Sequence, residues 1–293
     1  MTAKAITRSK KIKEKIIRSK SERICLAVVF VIFCIYAATL IYPFVFLLMN
    51  SFKSDPIEML MDPLGFPKSF SFSTYSEAID TMNIGEMFFN SVTLAVGQTF
   101  VTMALTCMAA YTLAKYRFKG NGFIYTFVLI ASVVPTIGAE AATFNLMNEK
   151  LHLRNTYLGM MLMCGGFGGA FLYLHSFFKE LPWSFAESAM IDGASDFRVF
   201  LQIMLPLAKN GIMVFTLMRF LGSWNEYWTA FLYYGEHPTL AVGLSKLSSR
   251  AGQDIPYGVF FAGTIICIMP VLIFYAFFSK KLMQNLIGGG IKG

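Results

Sequence analysis

The sequence predicts an all-α polytopic membrane protein, with six transmembrane helices and a two-helix cytoplasmic loop. Three observations carry this. Of 293 residues, 56% are hydrophobic and only 14% are charged, against about 25% charged in soluble domains. The apolar residues collect into six long runs, and the net charge of +8 sits almost wholly at one end. This composition excludes a disordered chain and argues against a soluble enzyme, because a lipid-covered exterior is what tolerates so little polar surface.

Residues 1–23 hold nine basic side chains (Lys4, Arg8, Lys10, Lys11, Lys13, Lys15, Arg18, Lys20 and Arg23) against Glu14 and Glu22. A basic segment directly before an apolar run is a membrane topology signal, and a nucleic-acid arm is the weaker reading. The first run, Ile24–Met49, is 26 residues long. A cleavable signal peptide has a shorter apolar core and a small-residue cleavage site. The further runs are Phe88–Ala114, Gly122–Ala139, Tyr157–Phe178, Gly211–Tyr233 and Val259–Phe278. Each is near the length of about 20 residues that crosses a bilayer. Pro43, Pro135 and Pro270 fall within runs, where neighbouring helices or a cavity can satisfy the freed carbonyls.

The connecting segments sort by charge. Alternate segments carry eighteen Lys/Arg on one side and six on the other. The positive-inside rule therefore places both termini in the cytoplasm. The segment 52–87 is external, carries two lysines against six acids, and is long enough to fold a small cap. Cys25, Cys34, Cys107, Cys164 and Cys267 all lie in apolar runs without ligand spacing, so they read as small hydrophobes.

The cytoplasmic segment 179–209 is the most informative. Ser184 with Glu187 forms a capping-box pattern, and Gly193 stands where a helix terminates. Ser195 or Asp196 can cap a second helix, Phe197–Met204, that stops at Pro206. The pair could lie on headgroups as interfacial helices. With three basic residues against four acids, it is better suited to docking a protein.

Here a resemblance enters. Glu187-Ser188-Ala189, then Gly193, then Ile203, Leu205 and Pro206 resemble the EAA signature of ABC importer permeases, with Ser188 in place of the usual Ala. Ile191-Asp192-Gly193-Ala194 resembles the maltose-type, carbohydrate-importing branch, and the subunit without a large external domain. Asn50-Ser51-Phe52-Lys53, Ala109-Ala110-Tyr111, Lys115–Gly120, Leu151–Thr156, Trp224-Asn225-Glu226-Tyr227, Thr239–Leu244 and Gly290–Gly293 are similar to that branch too. Gly165–Gly169 and Glu140 depart from it.

The resemblance implies a permease subunit, not an enzyme, in the multi-pass cell membrane of a prokaryote. Residues 1–23 would be a cytoplasmic segment and 24–293 the six-span domain. Its partners would be a second permease subunit (a heterodimer), two ATPase subunits, an extracytoplasmic solute-binding protein, a sugar and the bilayer, with no nucleic acid. No phosphate-cradling G-x-x-x-x-G-K-[ST] occurs in the chain. ATP-Mg would therefore sit on the partner subunits, and this chain would bind no cofactor or metal and hold no catalytic residue. Ser184, Glu187, Ser188, Ala189, Asp192, Gly193 and Ala194 would couple to the ATPase. Glu187 keeps two readings, cap and contact. The tail Asn285–Gly293 reads either as a disordered end or, by resemblance, as a segment reaching between the ATPase subunits.

Intramembrane polar residues are functional candidates. Arg219 and Glu226, seven residues apart, are expected on one helical face with Ser223. With Trp224, Asn225 and Trp228 they would line the translocation path, or alternatively form a packing network between permeases. Glu140 is a further candidate. An ion-coupled secondary transporter using Arg219 and Glu226 is the competing class. A membrane enzyme fits poorly, because His152, His175 and His237 are isolated.

Overall fold

The computed structural model describes residues 20–134, 138–163 and 168–289. The basic residues before Lys20, Cys164, most of Gly165–Gly169 and Gly290–Gly293 lie outside them. The described residues are helical, apart from loops and a single bridge between Ala251 and Ile255. The chain divides into two units, residues 1–47 and 48–293.

The first unit contains most of α1 (Lys20–Ser51), which continues through Pro43. Its apolar residues between Ile24 and Val45 are exposed within that unit. A helix hydrophobic all round belongs in a solvent that is itself apolar.

The second unit begins with a small cap. Asp55 caps α2 (Pro56–Met61), accepting from Ile57 N–H at 2.9 Å. Lys53 is 2% exposed and donates to Asp62 O at 2.6 Å. Lys68 N–H donates to Glu58 Oε1 at 2.8 Å. α3 (Ser73–Met82) is tied back by Thr74 Oγ1 to Ser51 O and by the Ser51–Tyr75 hydroxyl pair. The expected external cap over 52–87 is therefore folded.

α4 (Ile84–Lys115) is the central element and packs on α3 and on the later helices Tyr157–Leu162, Gly168–Glu180, Lys209–Asn225 and Leu240–Arg250. Buried polar residues punctuate it: Asn90, Ser91, Gln98, Thr99 and Thr106. Asn90 Nδ2 donates to Pro238 O at 3.1 Å, and Ser91 Oγ accepts from Leu240 N–H at 2.8 Å. Gln98 bridges two helices: its Nε2 donates to Met160 O at 3.1 Å and its Oε1 accepts from Ser223 Oγ at 2.9 Å. Between helices of similar apolarity, such bonds select the packing partner.

Next come α5 (Asn121–Val133), α6 (Glu140–Asn145) with a π turn at Leu146–Lys150, α7 (Tyr157–Leu162) and α8 (Gly168–Glu180). After the loop helices α9 (Ser184–Ile191), α10 (Asp196–Val199) and α11 (Leu205–Leu207), α12 (Lys209–Asn225) is followed by α13 (Trp228–Tyr233), α14 (Leu240–Arg250) and α15 (Tyr257–Gly289). Among the described residues, three helices (α1, α4 and α15) are long and apolar enough to cross a membrane, and the bent pair Asp196–Leu207 with Lys209–Asn225 makes a fourth if it is one span. The runs expected as third, fourth and fifth spans contain shorter helices. In particular, the run expected to continue from Gly211 to Tyr233 ends at Asn225 and restarts at Trp228. α15 runs to Gly289, so the tail from Asn285 to Gly289 continues a helix instead of forming a disordered end.

Candidate coupling loop and translocation face

The loop after α8 is held by the end of α4. Lys115 Nζ donates to Leu181 O, and the Trp183 ring meets Tyr116 edge-on at 5.9 Å. Tyr116 Oη donates to Asp196 Oδ1 at 2.9 Å. Burial first, then the neighbouring Tyr111 and the Asp196 carboxylate, push the Tyr116 phenol above its ordinary value, so it stays a neutral donor.

α9 (Ser184–Ile191) starts differently from the capping-box expectation. Its N-cap is Trp183, with no side-chain cap bond, and Ala186 and Glu187 N–H groups both donate to Trp183 O. Ser184 is already inside the first turn, where its carbonyl accepts from Ser188 Oγ at 3.0 Å. The reason is packing: Trp183 is held against the aromatic cluster around Tyr111 and Tyr116, which sets the helix start one residue earlier. Glu187 is thereby left without a capping task.

The end of α9 matches the expectation. Gly193 has φ +84°, its N–H donates to Met190 O at 3.0 Å, and Ala194 N–H donates to Ala189 O at 2.9 Å. This is a Schellman closure, which favours glycine at the left-handed position. Ala186 is fully buried, and Ala189, Met190 and Ala194 pack on the same core. Ser184, Phe185, Glu187, Ser188, Ile191, Asp192 and Gly193 are exposed, Ile191 by 86%. The predicted coupling residues thus divide: Ala189 and Ala194 anchor the helix, and the others face outward.

Ser195 caps α10 (Asp196–Val199), its Oγ accepting from Arg198 N–H. The helix does not stop at Pro206. A π turn at Phe200–Met204 leads into α11 (Leu205–Leu207). The wider turn relieves the contact that a proline ring otherwise makes with the carbonyl four residues back. At buried Ala208 the chain then turns 82° into α12.

The predicted translocation face is not one face. Ser223 is buried and turned toward Gln98. Glu226 lies beyond the end of α12, in extended backbone (φ −72°, ψ 108°), and its Oε1 accepts from Thr229 N–H at 3.1 Å. It therefore does not share a helical face with Arg219. Arg219 is half-buried, and its Nε is buried without a hydrogen-bond partner among the described residues. Trp224 packs against Phe88 and Phe220. Trp224 and Asn225 line a groove of about 560 Å³ between the end of α12, α14 and α15. Trp228 belongs to a smaller hollow with Glu140, Thr143, Thr229 and Tyr233. The sequence reading missed Tyr227, Ser245, Ser248 and Thr264, which line the larger groove. The signal for the two serines was the i, i+3, i+4, i+7 stripe Ala241, Leu244, Ser245, Ser248, set apart from buried Gly243 and Leu247 on the same helix.

The family described as "Binding-protein-dependent transport system inner membrane component" matches residues 103–287. This chain belongs to that family. The inner membrane component is 32% identical over 280 residues to the diacetylchitobiose uptake system permease protein NgcG of Streptomyces coelicolor, covering 92% of this chain and 90% of the relative. It is 32% identical over 259 residues to the arabinooligosaccharides transport system permease protein AraQ of Bacillus subtilis, covering 86% and 91%. It is 30% identical over 259 residues to the trehalose/maltose transport system permease protein MalG of Thermococcus litoralis, covering 86% and 92%. One solved structure is a bacterial ABC transporter involved in the import of the acidic polysaccharide alginate. A chain of it superposes with a TM-score of 0.76 at 22% identity, covering 90% of this chain and 98% of that one. The fold is thus an ABC transporter permease fold. The resemblance read from the EAA signature holds: the inner membrane component is a permease subunit of an ABC importer in the cell membrane.

Proposed function

We propose that the permease carries a carbohydrate, an oligosaccharide or sugar derivative, as one half of the pathway of an ATP-driven importer. Six crossing segments place both termini in the cytoplasm, with residues 1–23 as a basic cytoplasmic anchor ahead of the 24–293 transmembrane domain. A second, non-identical permease completes the pathway, and an extracytoplasmic binding protein delivers the solute. ATP-Mg is bound and hydrolysed on two separate ATPase subunits.

The observation that carries this reading is the outer surface of α9. Phe185 and Ile191 stand exposed beside Glu187, Ser188 and Asp192 on a short helix closed by Gly193. Exposed apolar side chains rimmed by polar ones mark a protein contact. Ser184, Glu187, Ser188, Asp192 and Gly193 are the residues that meet the ATPase cleft, while Ala189 and Ala194 hold the helix from behind. Relatives named for diacetylchitobiose, arabinooligosaccharides and trehalose/maltose support the solute class. Arg219, Ser223, Trp224, Asn225, Glu226 and Trp228 keep their assignment to the pathway region, with Ser223 and Glu226 as supports for its helices.

Ion coupling through Arg219 and Glu226 is the weaker alternative, because Glu226 is engaged at Thr229 and the two are not neighbours on one helix. Uptake by vesicles holding the whole assembly tests the choice. Transport should follow ATP hydrolysis, survive collapse of proton and sodium gradients, and disappear when the partner ATPase cannot hydrolyse ATP. Gradient-driven uptake without ATP refutes it.

A further inference from the structure

The cap that follows α1 distributes its side chains the wrong way round for water. Lys53 and Glu58 are buried, while Ile57, Leu60, Met61, Leu64 and Phe66 are between 67% and 82% exposed. Ile57, Leu60 and Met61 stand at i, i+3 and i+4 of α2, so they share one face, and Glu58 lies outside it. The buried charges are engaged within the cap: Lys53 Nζ donates to Asp62 O, and Glu58 Oε1 accepts from Lys68 N–H.

The backbone is satisfied in the same manner. Beyond α2 the segment 55–68 is irregular, and irregular chain needs its polar groups bonded wherever water is scarce. Asp62 N–H donates to Glu58 O at 3.0 Å, and Asp62 Oδ1 accepts from Gly65 N–H at 2.9 Å. Asn50 Nδ2, in the last turn of α1, donates to Pro63 O at 3.1 Å. Pro56, Pro63 and Pro67 have no N–H to satisfy. The segment thus ties polar groups inward and leaves five large apolar side chains outside.

The position of the segment says what covers them. The apolar run Ile24–Met49 has 26 residues, about 39 Å as a helix, against about 30 Å of hydrocarbon. Such a span delivers its end to the headgroup layer, and the cap begins there. A protein neighbour of ordinary kind would ask for about one hydrogen bond per 100–200 Å², whereas Lys53, Glu58 and Asp62 are spent inside the cap. Residues 53–68 carry two lysines against three acids, a balance that gives anionic headgroups no hold.

We infer that residues 55–68 are an interfacial anchor. Ile57, Leu60, Met61, Leu64 and Phe66 enter the acyl boundary of the leaflet in which α1 ends, by apolar burial and without preference for anionic lipid. Under the orientation proposed above that leaflet is the outer one; the depth of insertion does not depend on which side it is.

The test uses the complete importer in phosphatidylcholine vesicles. Cys25, Cys34 and Cys164 are replaced by alanine, the buried Cys107 and Cys267 are kept, and a nitroxide is attached at Met61→Cys or Phe66→Cys. Collision with oxygen, which concentrates in lipid, and with a water-soluble nickel chelate gives the depth of each label, calibrated by lipids labelled at known carbons. Both labels should lie about 5–10 Å inside the headgroup boundary, and stay there when half the lipid is phosphatidylglycerol. With Ile57→Glu and Leu60→Glu together, the label at residue 61 should move outward and its nickel collisions rise severalfold. The apolar pair Ile57→Leu and Leu60→Met should keep the depth, which separates lost anchoring from a misfolded cap. Nickel collisions as frequent as at a headgroup label overturn the anchor. Rare collisions with both reagents overturn it in favour of a protein neighbour. Deeper insertion in phosphatidylglycerol overturns its apolar basis, and an unchanged depth in the glutamate variant overturns the role of the α2 face.

Discussion

Gly193 offers a graded test of the α9 turn. Its φ is +84°, and a methyl group built there meets no atom within 4 Å. An alanine therefore carries only the backbone penalty of the left-handed conformation, about 1–2 kcal/mol. Asparagine adopts that conformation more readily, so Gly193→Asn costs less. Proline is confined to φ near −65°. It removes the Gly193 N–H bond to Met190 O and reverses the turn that supports the Ala194 N–H bond to Ala189 O. Two bonds at about 1 kcal/mol each add to the conformational penalty. Limited proteolysis across 185–200 in the purified assembly reads the opened population when cleavage is slow. Alanine should raise the nicking rate about fivefold to thirtyfold, asparagine less and proline most. In the same preparations, ATP-driven uptake should fall in that order, and Gly193→Pro should lose coupling or assembly. Faster nicking of the asparagine variant than the alanine variant would refute the argument, as would a proline variant no worse than alanine.

Glu187→Lys leaves the fold of α9 intact, because the side chain makes no cap, yet should uncouple uptake from ATP hydrolysis; unchanged uptake and ATPase retention reject its docking role. Gly258→Ala forces a methyl to within 2.2 Å of Lys53 O and should destabilise by about 1–3 kcal/mol, read as a lower unfolding midpoint in detergent. Gly122→Ala, with open space around it and an ordinary φ, is the control and should be neutral or stabilising. Ser223→Ala leaves the buried Gln98 Oε1 without its donor and should cost about 1 kcal/mol, again visible in the midpoint. Tyr116→Phe removes the hydrogen bond to Asp196; proteolysis near Ser195 should rise while total expression stays near that of the native chain.

The long apolar runs were legible because hydropathy alone specifies a helix that lipid will accept, as in α1, α4 and α15. Gly193 and Ser195 were legible because left-handed closure and side-chain capping depend on the residue itself. The capping box failed where a tertiary contact intervened: Trp183 docks on Tyr116, 67 residues earlier in the chain, and draws the helix start to itself. The break after Asn225 carries neither proline nor glycine, so composition gave no warning of it. The Gln98–Ser223 bond joins positions 125 residues apart, a pairing no local pattern encodes. The groove serines were hidden for another reason, since a small polar stripe reads as ordinary helix surface until another element is placed opposite.

The corner at Ala208 has a mechanical meaning. The axis turns by 82° there, with Ala208 N–H donating to Met204 O on one side of the corner and Ile212 N–H donating to Ala208 O on the other. Two stiff arms set nearly at right angles act as a bell crank, converting a push along one arm into a sweep of the other. The 17 residues of α12 give the second arm a length of about 25 Å. A tilt of about 5° at the corner moves its far end by about 2 Å on that length. That end carries Trp224 and Asn225 at the lip of the groove beside α14 and α15, so a small tilt at the corner arrives there enlarged.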